Sequence, residues 1–279
     1  MGDGIWFLKG HGTENDFVLI PDADGALGPP SEELVRSMCD RRAGIGADGV
    51  IRVVRTYATD DPAARAARDH AEWFMDYRNA DGSVSEMCGN GVRVLGRYLV
   101  DREGADPSRP LPVATRAGIK LLELDGDQIT VDMGQPRVLG DTLVGVDGRT
   151  WPACHVDMGN PHAVAFVDDL ADAGPLLDGP TYDPTVYPHG VNVEFVARRG
   201  PGHVAMRVHE RGSGETRSCG TGACAVMVAT ALADGGGRGA AYVVDLPGGT
   251  LRIRWSAEDH ILMTGPAVLV AEGKWFAGR

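Results

Sequence analysis

Two six-residue stretches, 131 positions apart, say nearly the same thing: Glu86-Met87-Cys88-Gly89-Asn90-Gly91 and Arg217-Ser218-Cys219-Gly220-Thr221-Gly222. Each sets a cysteine directly before a Gly-x-Gly turn, and each turn leads into an apolar run of helical length. A thiol at a helix start feels the positive end of the aligned peptide dipoles, roughly half a charge, which favours the thiolate. Two such thiols in equivalent contexts predict one substrate addressed from both sides. One sulfur would take a proton from one face, and the other would return a proton to the opposite face.

The elements that must hold these thiols are also repeated. Asn79 stands nine residues before Cys88, and Glu210 nine before Cys219. Upstream, Gly12-Thr13-Glu14-Asn15-Asp16-Phe17-Val18 is loosely echoed by Gly159-Asn160-Pro161-His162-Ala163-Val164. The offset between these echoes differs from that of the cysteines, and residues 58–72 are about long enough to be an insertion in the first copy, expected as a surface loop. The expected fold is α+β: two pseudo-symmetric domains, each a sheet or barrel wrapped around a central buried helix, with the site in the cleft between them. The expected boundaries are 1–133 with 267–279 for the Cys88 half and 134–266 for the Cys219 half. Strands are predicted at 5–8, 17–20, 49–54, 73–77, 111–113, 119–124 and 128–133. The second half repeats them at 153–156, 163–167, 191–196, 204–208, 242–246, 251–255 and 261–264. Ser31 caps a helical pattern running to Arg42, and helices follow each cysteine, apolar on nearly every side.

Composition narrows the class. The 279 residues carry a net charge of −12, with 43% hydrophobic and 24% charged residues. Such a chain can bury one or two real cores, and its acidity and lack of basic runs argue against nucleic acid. No apolar stretch reaches membrane-spanning length. Residues 1–10 carry Asp3 and Lys9 and no apolar core, so no secretion signal and a cytoplasmic location are expected. Five dispersed cysteines do not suggest a disulfide framework. No Cys-x-x-Cys or paired histidines suggest a metal. Cys39, Cys154 and Cys224 read as small core residues.

Taken together, the segments Lys9 to Phe17, Tyr77 to Ser83, Met87 to Gly91, Gly159 to His162, Asn192-Val193-Glu194-Phe195 and Glu210 through Gly222 resemble the diaminopimelate epimerases, in phrasing closest to actinobacterial members. The resemblance runs almost end to end. It implies a cofactor-free, metal-free isomerase that interconverts LL- and meso-diaminopimelate in lysine and peptidoglycan precursor synthesis, a small-molecule enzyme and possible homodimer. It implies Cys88 and Cys219 as the proton carriers, His162 assisting Cys88 and Glu210 assisting Cys219. It further implies a substrate cage of Asn15, Asn79, Gly89, Asn90, Asn160, Asn192, Glu210, Arg211, Gly220 and Thr221. One departure stands out: many members have glutamine after the aspartate of Gly44-Ile45-Gly46-Ala47-Asp48, where this chain has Gly49.

The residue types suit that chemistry independently. The α-hydrogen of a free amino acid is a very weak acid, so a carbanion must be stabilised electrostatically. Two helix N-termini offer backbone N–H groups to an α-carboxylate, and Arg211 offers a planar fork for a distal one. Singly, His162 could be a strand-end hydrogen-bonding residue, Arg211 a solvated surface side chain, and each asparagine a turn residue. Three other readings remain open at this level: a proline racemase-like enzyme of the same fold, a thiol redox sensor using a Cys88–Cys219 disulfide, and a binding protein without turnover. The first ordinarily has histidine where this chain has Asn90 and has no need of Arg211.

Overall fold

Runs rich in Val, Ile and aromatic residues alternate with tight turns along most of the chain, and in the computed structural model, which describes residues 4–276, they form strands around two central helices. The described residues fall into two compact units, one of residues 4–131 and 266–276, the other of Asp132–Gly265. No helix among the described residues is long and apolar enough to cross a membrane.

The first unit begins with β1 (Ile5–Gly12) and β2 (Asn15–Pro21), an antiparallel hairpin in which Gly12 faces Asn15. Its two-residue loop puts both Thr13 (φ 50°) and Glu14 (φ 62°) in the left-handed region. That turn matches the twist of a hairpin, but each non-glycine residue there costs about 1–3 kcal/mol. Burial of Thr13 and the bond from its Oγ1 to the Gly12 carbonyl (2.7 Å) hold it in place. Helix α1 (Glu32–Cys39) follows, with the Ser31 hydroxyl accepting from Leu34 N–H. Next come β3 (Gly49–Arg55), α2 (Pro62–Ala67), β4 (Trp73–Asn79), the central helix α3 (Gly89–Glu103), and a meander of β5 (Leu111–Thr115), β6 (Gly118–Asp125) and β7 (Gln128–Asp132). β2 runs parallel to β3, β3 antiparallel to β4, and β4 parallel to β5.

The second unit has the same grammar. After β8 (Arg137–Val146) come β9 (Arg149–Asp157), β10 (Pro161–Phe166), the two-residue β11 (Thr181–Tyr182), β12 (Asn192–Gly200), β13 (His203–Glu210) and the short β14 (Gly214–Thr216). The central helix α4 (Gly220–Ala233) leads to β15 (Ala241–Leu246), β16 (Gly249–Trp255) and β17 (Ile261–Pro266). β9 is antiparallel to β10, β10 parallel to β12, β12 antiparallel to β13, and β13 parallel to β15. Strand for strand, this is the pairing order of β1, β2, β3, β4 and β5. Each unit then adds one strand outside its first hairpin: β8 beside β9 in the second, and β18 (Val268–Trp275) beside β1 in the first.

Several expectations need correcting. α1 stops at Cys39 because the Asp40 carboxylate accepts from the N–H groups of Arg42 and Ala43 and turns the chain away. Residues 58–72 are not simply a surface loop. Asp61 caps α2, and Ala64, Ala67 and Ala71 pack with Val54, Phe74 and Ala114 as a small core of their own. Only the first half of α3 is buried on all sides; beyond Gly96 it presents Arg97, Asp101 and Arg102 outward. The first unit also buries charge that sequence alone would place outside. Arg52 is sealed with Asp22 (2.7 Å) and Asp76 (3.3 Å), and Arg116 closes the array against Asp76 and Asp61. Strands β8 and β18 carried no clear signal. β8 is mostly exposed and broken by a bulge between Val138 and Gly140, and β18 exposes Val268 and Val270.

Candidate active site

Cys88 is the N-cap of α3, its backbone extended (φ −134°, ψ 122°). The first N–H groups of a helix have no intrahelical acceptor, so this turn is a ready anion seat. The Cys88 thiol donates to Asn15 Oδ1 (3.5 Å), which also accepts from Asn90 Nδ2 (3.2 Å). Asn15 Nδ2 donates to Asp48 Oδ2 (2.7 Å), and a carboxylate can only accept, so the orientation of the Asn15 amide is fixed. Asp48 is in turn paired with Arg41 (2.6 Å), which also grips Asp16 beside Lys9. Burial alone would raise the Asp16 carboxyl, but hydrogen bonds from Arg41 and Lys9 bring it down to about 2. On the other side, Asn90 Oδ1 accepts from Arg93 (2.5 Å), whose buried guanidinium also donates to the Pro266 carbonyl (2.8 Å). The strained 13–14 turn thus delivers Asn15 to a thiol whose neighbours are pinned by ion pairs.

Cys219 caps α4 with nearly the same backbone (φ −127°, ψ 113°), but its surroundings differ. It is buried, its sulfur accepts from Gly222 N–H (3.4 Å), and Thr221 Oγ1 lies 3.6 Å away. Strand register explains what lies under it. His162 pairs with Asn192, Val164 with Glu194, and Glu194 with Val208, two residues before Glu210. Side chains two apart along a strand share a face, so His162, Asn192, Glu194 and Glu210 line one side of β10, β12 and β13. Gly222 lets the helix close on that face, since a Cβ there would stand 2.8 Å from Glu194 Oε1. Desolvation raises the Glu210 carboxyl, opposed by hydrogen bonds from Thr216 and Cys219. Burial first, then the charges of Glu210 and Glu194, push the Cys219 thiol well above its ordinary range. The expected tilt toward thiolate is therefore overturned at Cys219: the helix end is outweighed by desolvation and two carboxylates.

The remaining candidates are placed as follows. His162, fully buried, holds Glu194 Oε1 with Nδ1 (2.6 Å) and faces Asn160 Oδ1 with Nε2 (3.1 Å). Asn160 Nδ2 reaches Thr221 Oγ1 (3.4 Å). Asn192 accepts from the Arg211 N–H (2.9 Å) and donates to the Pro161 carbonyl, so it secures the loop that carries Arg211. The Arg211 guanidinium is exposed, with Nη1 on the His189 carbonyl (3.2 Å). Asn79 ends β4, and its amide donates to Ser83 Oγ (3.0 Å) in the following turn rather than to the Cys88 group. At Gly49 a Cβ would meet the Arg78 carbonyl oxygen at 2.5 Å, so the β3–β4 pairing leaves no room for a side chain there. Cys39, pushed up to about 12 by burial, and Cys154, raised by the same cause, are consistent with core roles. Among the described residues no group of three His, Cys, Asp or Glu side chains is placed to hold a metal ion.

Sequence comparison settles the lineage. The family model for diaminopimelate epimerase matches residues 7–139 and 154–270. The chain is 58% identical to the diaminopimelate epimerase of Streptomyces coelicolor over 284 aligned residues, covering 99% of this chain and 96% of that one. It is 45% identical to the Corynebacterium glutamicum enzyme of the same name, covering 97% and 98%. This chain belongs to the diaminopimelate epimerase family. Solved structures place the fold more widely. A Bacillus anthracis phenazine biosynthesis protein of the PhzF family superposes with a TM-score of 0.71 at 17% identity, covering 99% of this chain and all of that one. A hydroxyproline epimerase from Agrobacterium vitis does so at 0.69 and 16%, covering 97% and 92%.

For a diaminopimelate epimerase-family chain, two participants escaped the reading of the sequence. Asp48 anchors Asn15, and Glu194 anchors His162. Asp48 lay inside a Gly-rich turn that reads as loop chemistry. Glu194 did leave a signal: a carboxylate between Val193 and Phe195 in a strand whose first six residues are all buried.

Proposed function

We infer that this chain interconverts LL- and meso-diaminopimelate by removing the α-proton with one of two thiols and delivering a different proton from the other. The observation that carries the reading is the paired placement of Cys88 and Cys219, each the N-cap of the central helix in one of two like-built units, within a chain of this family. One sulfur, as thiolate, takes the α-proton; the C–H electron pair is left on the α-carbon and spreads into the carboxylate. The other sulfur, as thiol, gives its proton to the opposite face. After turnover the thiol and thiolate have changed places, and exchange with solvent resets them. Their titration belongs to the pair rather than to either sulfur. Backbone N–H groups at the two helix starts would hold the α-carboxylate, where charge accumulates in the transition state.

The flanking groups divide the labour. Glu210, kept high by desolvation and bonded to the Cys219 thiol, is suited to accept that proton when Cys219 must act as base. Asn15 and Asn90 orient Cys88, and His162 serves as a proton store. Arg211 takes the distal carboxylate through its planar fork. The reaction calls for a small-molecule substrate and a cytoplasmic setting, and a homodimer is the expected assembly. Incubating the purified chain in deuterated water with LL-diaminopimelate, and separately with each proline isomer, tests the reading. Deuterium should enter the α-position of diaminopimelate alone; label confined to proline would replace this assignment with a proline racemase-like one. Arg211→Lys should raise KM on the order of 10-fold, because an ammonium cannot reproduce two parallel bonds.

A further inference from the structure

Glu194 has no role in the proton transfer just described, yet it is placed as a working group. Its carboxylate lies near the start of β12, fully buried, with Oε1 2.6 Å from His162 Nδ1. Its other oxygen, Oε2, is buried with no hydrogen-bond partner. A buried charge without full pairing is expensive, so a purely structural site would be expected to fill that position with an apolar residue. Gly222 is left without a side chain where one would collide with Glu194.

We propose that Glu194 is a positioning residue that fixes the proton of His162 on Nδ1 and leaves Nε2 as the one ring nitrogen free to exchange a proton. The geometry is specific. Ionised Glu194 can only accept, so the short contact requires Nδ1–H. Nε2 is then directed at Asn160 Oδ1, and Asn160 continues through Nδ2 to Thr221 Oγ1, beside the Cys219 sulfur. When Nε2 carries a proton, His162 donates from both nitrogens and is an imidazolium against the Glu194 carboxylate. When it gives that proton up, Nδ1–H keeps the ring in the same orientation, and the Asn160 amide must turn over to present Nδ2 to the bare Nε2, since Oδ1 can only accept. A histidine held by a carboxylate at one nitrogen, with the other facing the chemistry, is a recurrent way of selecting a tautomer.

This role rests on the epimerase reading, but its test does not need turnover. The full chain labelled with 15N-histidine is examined at pH 7 by two-bond 1H–15N correlation, with the His162 signals identified by their loss in His162→Gln. In the unaltered chain Nδ1 should carry a proton. In Glu194→Gln, whose amide can donate instead of accept, the neutral ring should shift its proton to Nε2. With diaminopimelate, kcat of Glu194→Gln should fall by about 10- to 100-fold with KM little changed, and Glu194→Asp should recover part of the loss. A bare Nδ1 in the unaltered chain overturns the proposal even if Glu194→Gln does not fold. So does a Glu194→Gln protein that keeps either the tautomer or kcat unchanged. A chain with protonated Nδ1 that fails to epimerise diaminopimelate would leave the Glu194–His162 pair standing and remove the reaction instead.

Discussion

Cys88 and Cys219 cap helices that occupy the same place in their units, but each sits among different partners. Cys88 meets the Asn15 amide, which is tied to that of Asn90, and the charges that fix these amides, Asp48, Arg41 and Arg93, act one residue removed. Around Cys219 the carboxylates come directly against a buried sulfur. The first site orients a half-buried thiol; the second suppresses the ionisation of a buried one. A repeated fold has kept its backbone and diverged in its electrostatics.

The sharpest way to break this comparison is to remove one sulfur at a time. Cys88→Ala and Cys219→Ala should each lower epimerisation by roughly 10^3-fold or more, within the range a positioned proton carrier contributes. Measurable turnover by either at near-normal rate would mean that one thiol suffices. Glu210→Gln should reduce kcat by about 100-fold while adding stability near neutral pH. The sign follows from its raised carboxyl: the native state binds that proton more tightly than the unfolded chain, so stability falls as pH rises past the ordinary carboxyl range. Urea midpoints of the variant and the unaltered chain should therefore converge on acidification, and a gap independent of pH would detach Glu210 from the buried face. Asn15→Ala should lower kcat by about 10-fold, since it unhooks Cys88 from the Asp48 anchor, and should leave Cys219 alkylation rates unchanged.

The smallest effect concerns alkaline stability. With its thiol held well above the ordinary range, Cys219 stays protonated in the native state after its unfolded counterpart has ionised. Stability should then decline above about pH 8.5, by at most ~1.4 kcal/mol per pH unit from this group. Cys219→Ala should flatten that slope, and Cys39→Ala, whose thiol is also raised by burial, gives the control for a sulfur outside the site. Identical slopes in the unaltered chain and Cys219→Ala would remove the electrostatic contrast between the two caps.

Much of this organisation was legible in the sequence because it is carried by short local patterns. The Cys-Gly-x-Gly turns announced both helix starts, Ser31 announced α1, and alternating apolar residues marked most strands. What escaped depends on long-range neighbours. The burial of Arg52 and Arg93 is set by partners from other strands and segments, and no local pattern distinguishes them from surface arginines. The raised Cys219 thiol reflects carboxylates delivered by β12 and β13, so a rule about helix ends alone predicted the wrong direction. Residues 58–72 looked like filler because an alanine-rich stretch offers no periodic contrast, yet its alanines are what allow α2 to lie close against Phe74 and Ala114.

Strand β18 has a consequence for how the polypeptide is made. It pairs with β1 from Ile5↔Trp275 to His11↔Val268, so the edge of β1 that faces away from β2 stays uncovered until residues 268–275 have been synthesised. Until then β1 presents an open row of amides and carbonyls, a site prone to pairing with other chains. The Cys219 half, whose strands are contiguous, is free to mature while the Cys88 half waits for β18. Nascent chains stalled before residue 268 should therefore be the aggregation-prone species.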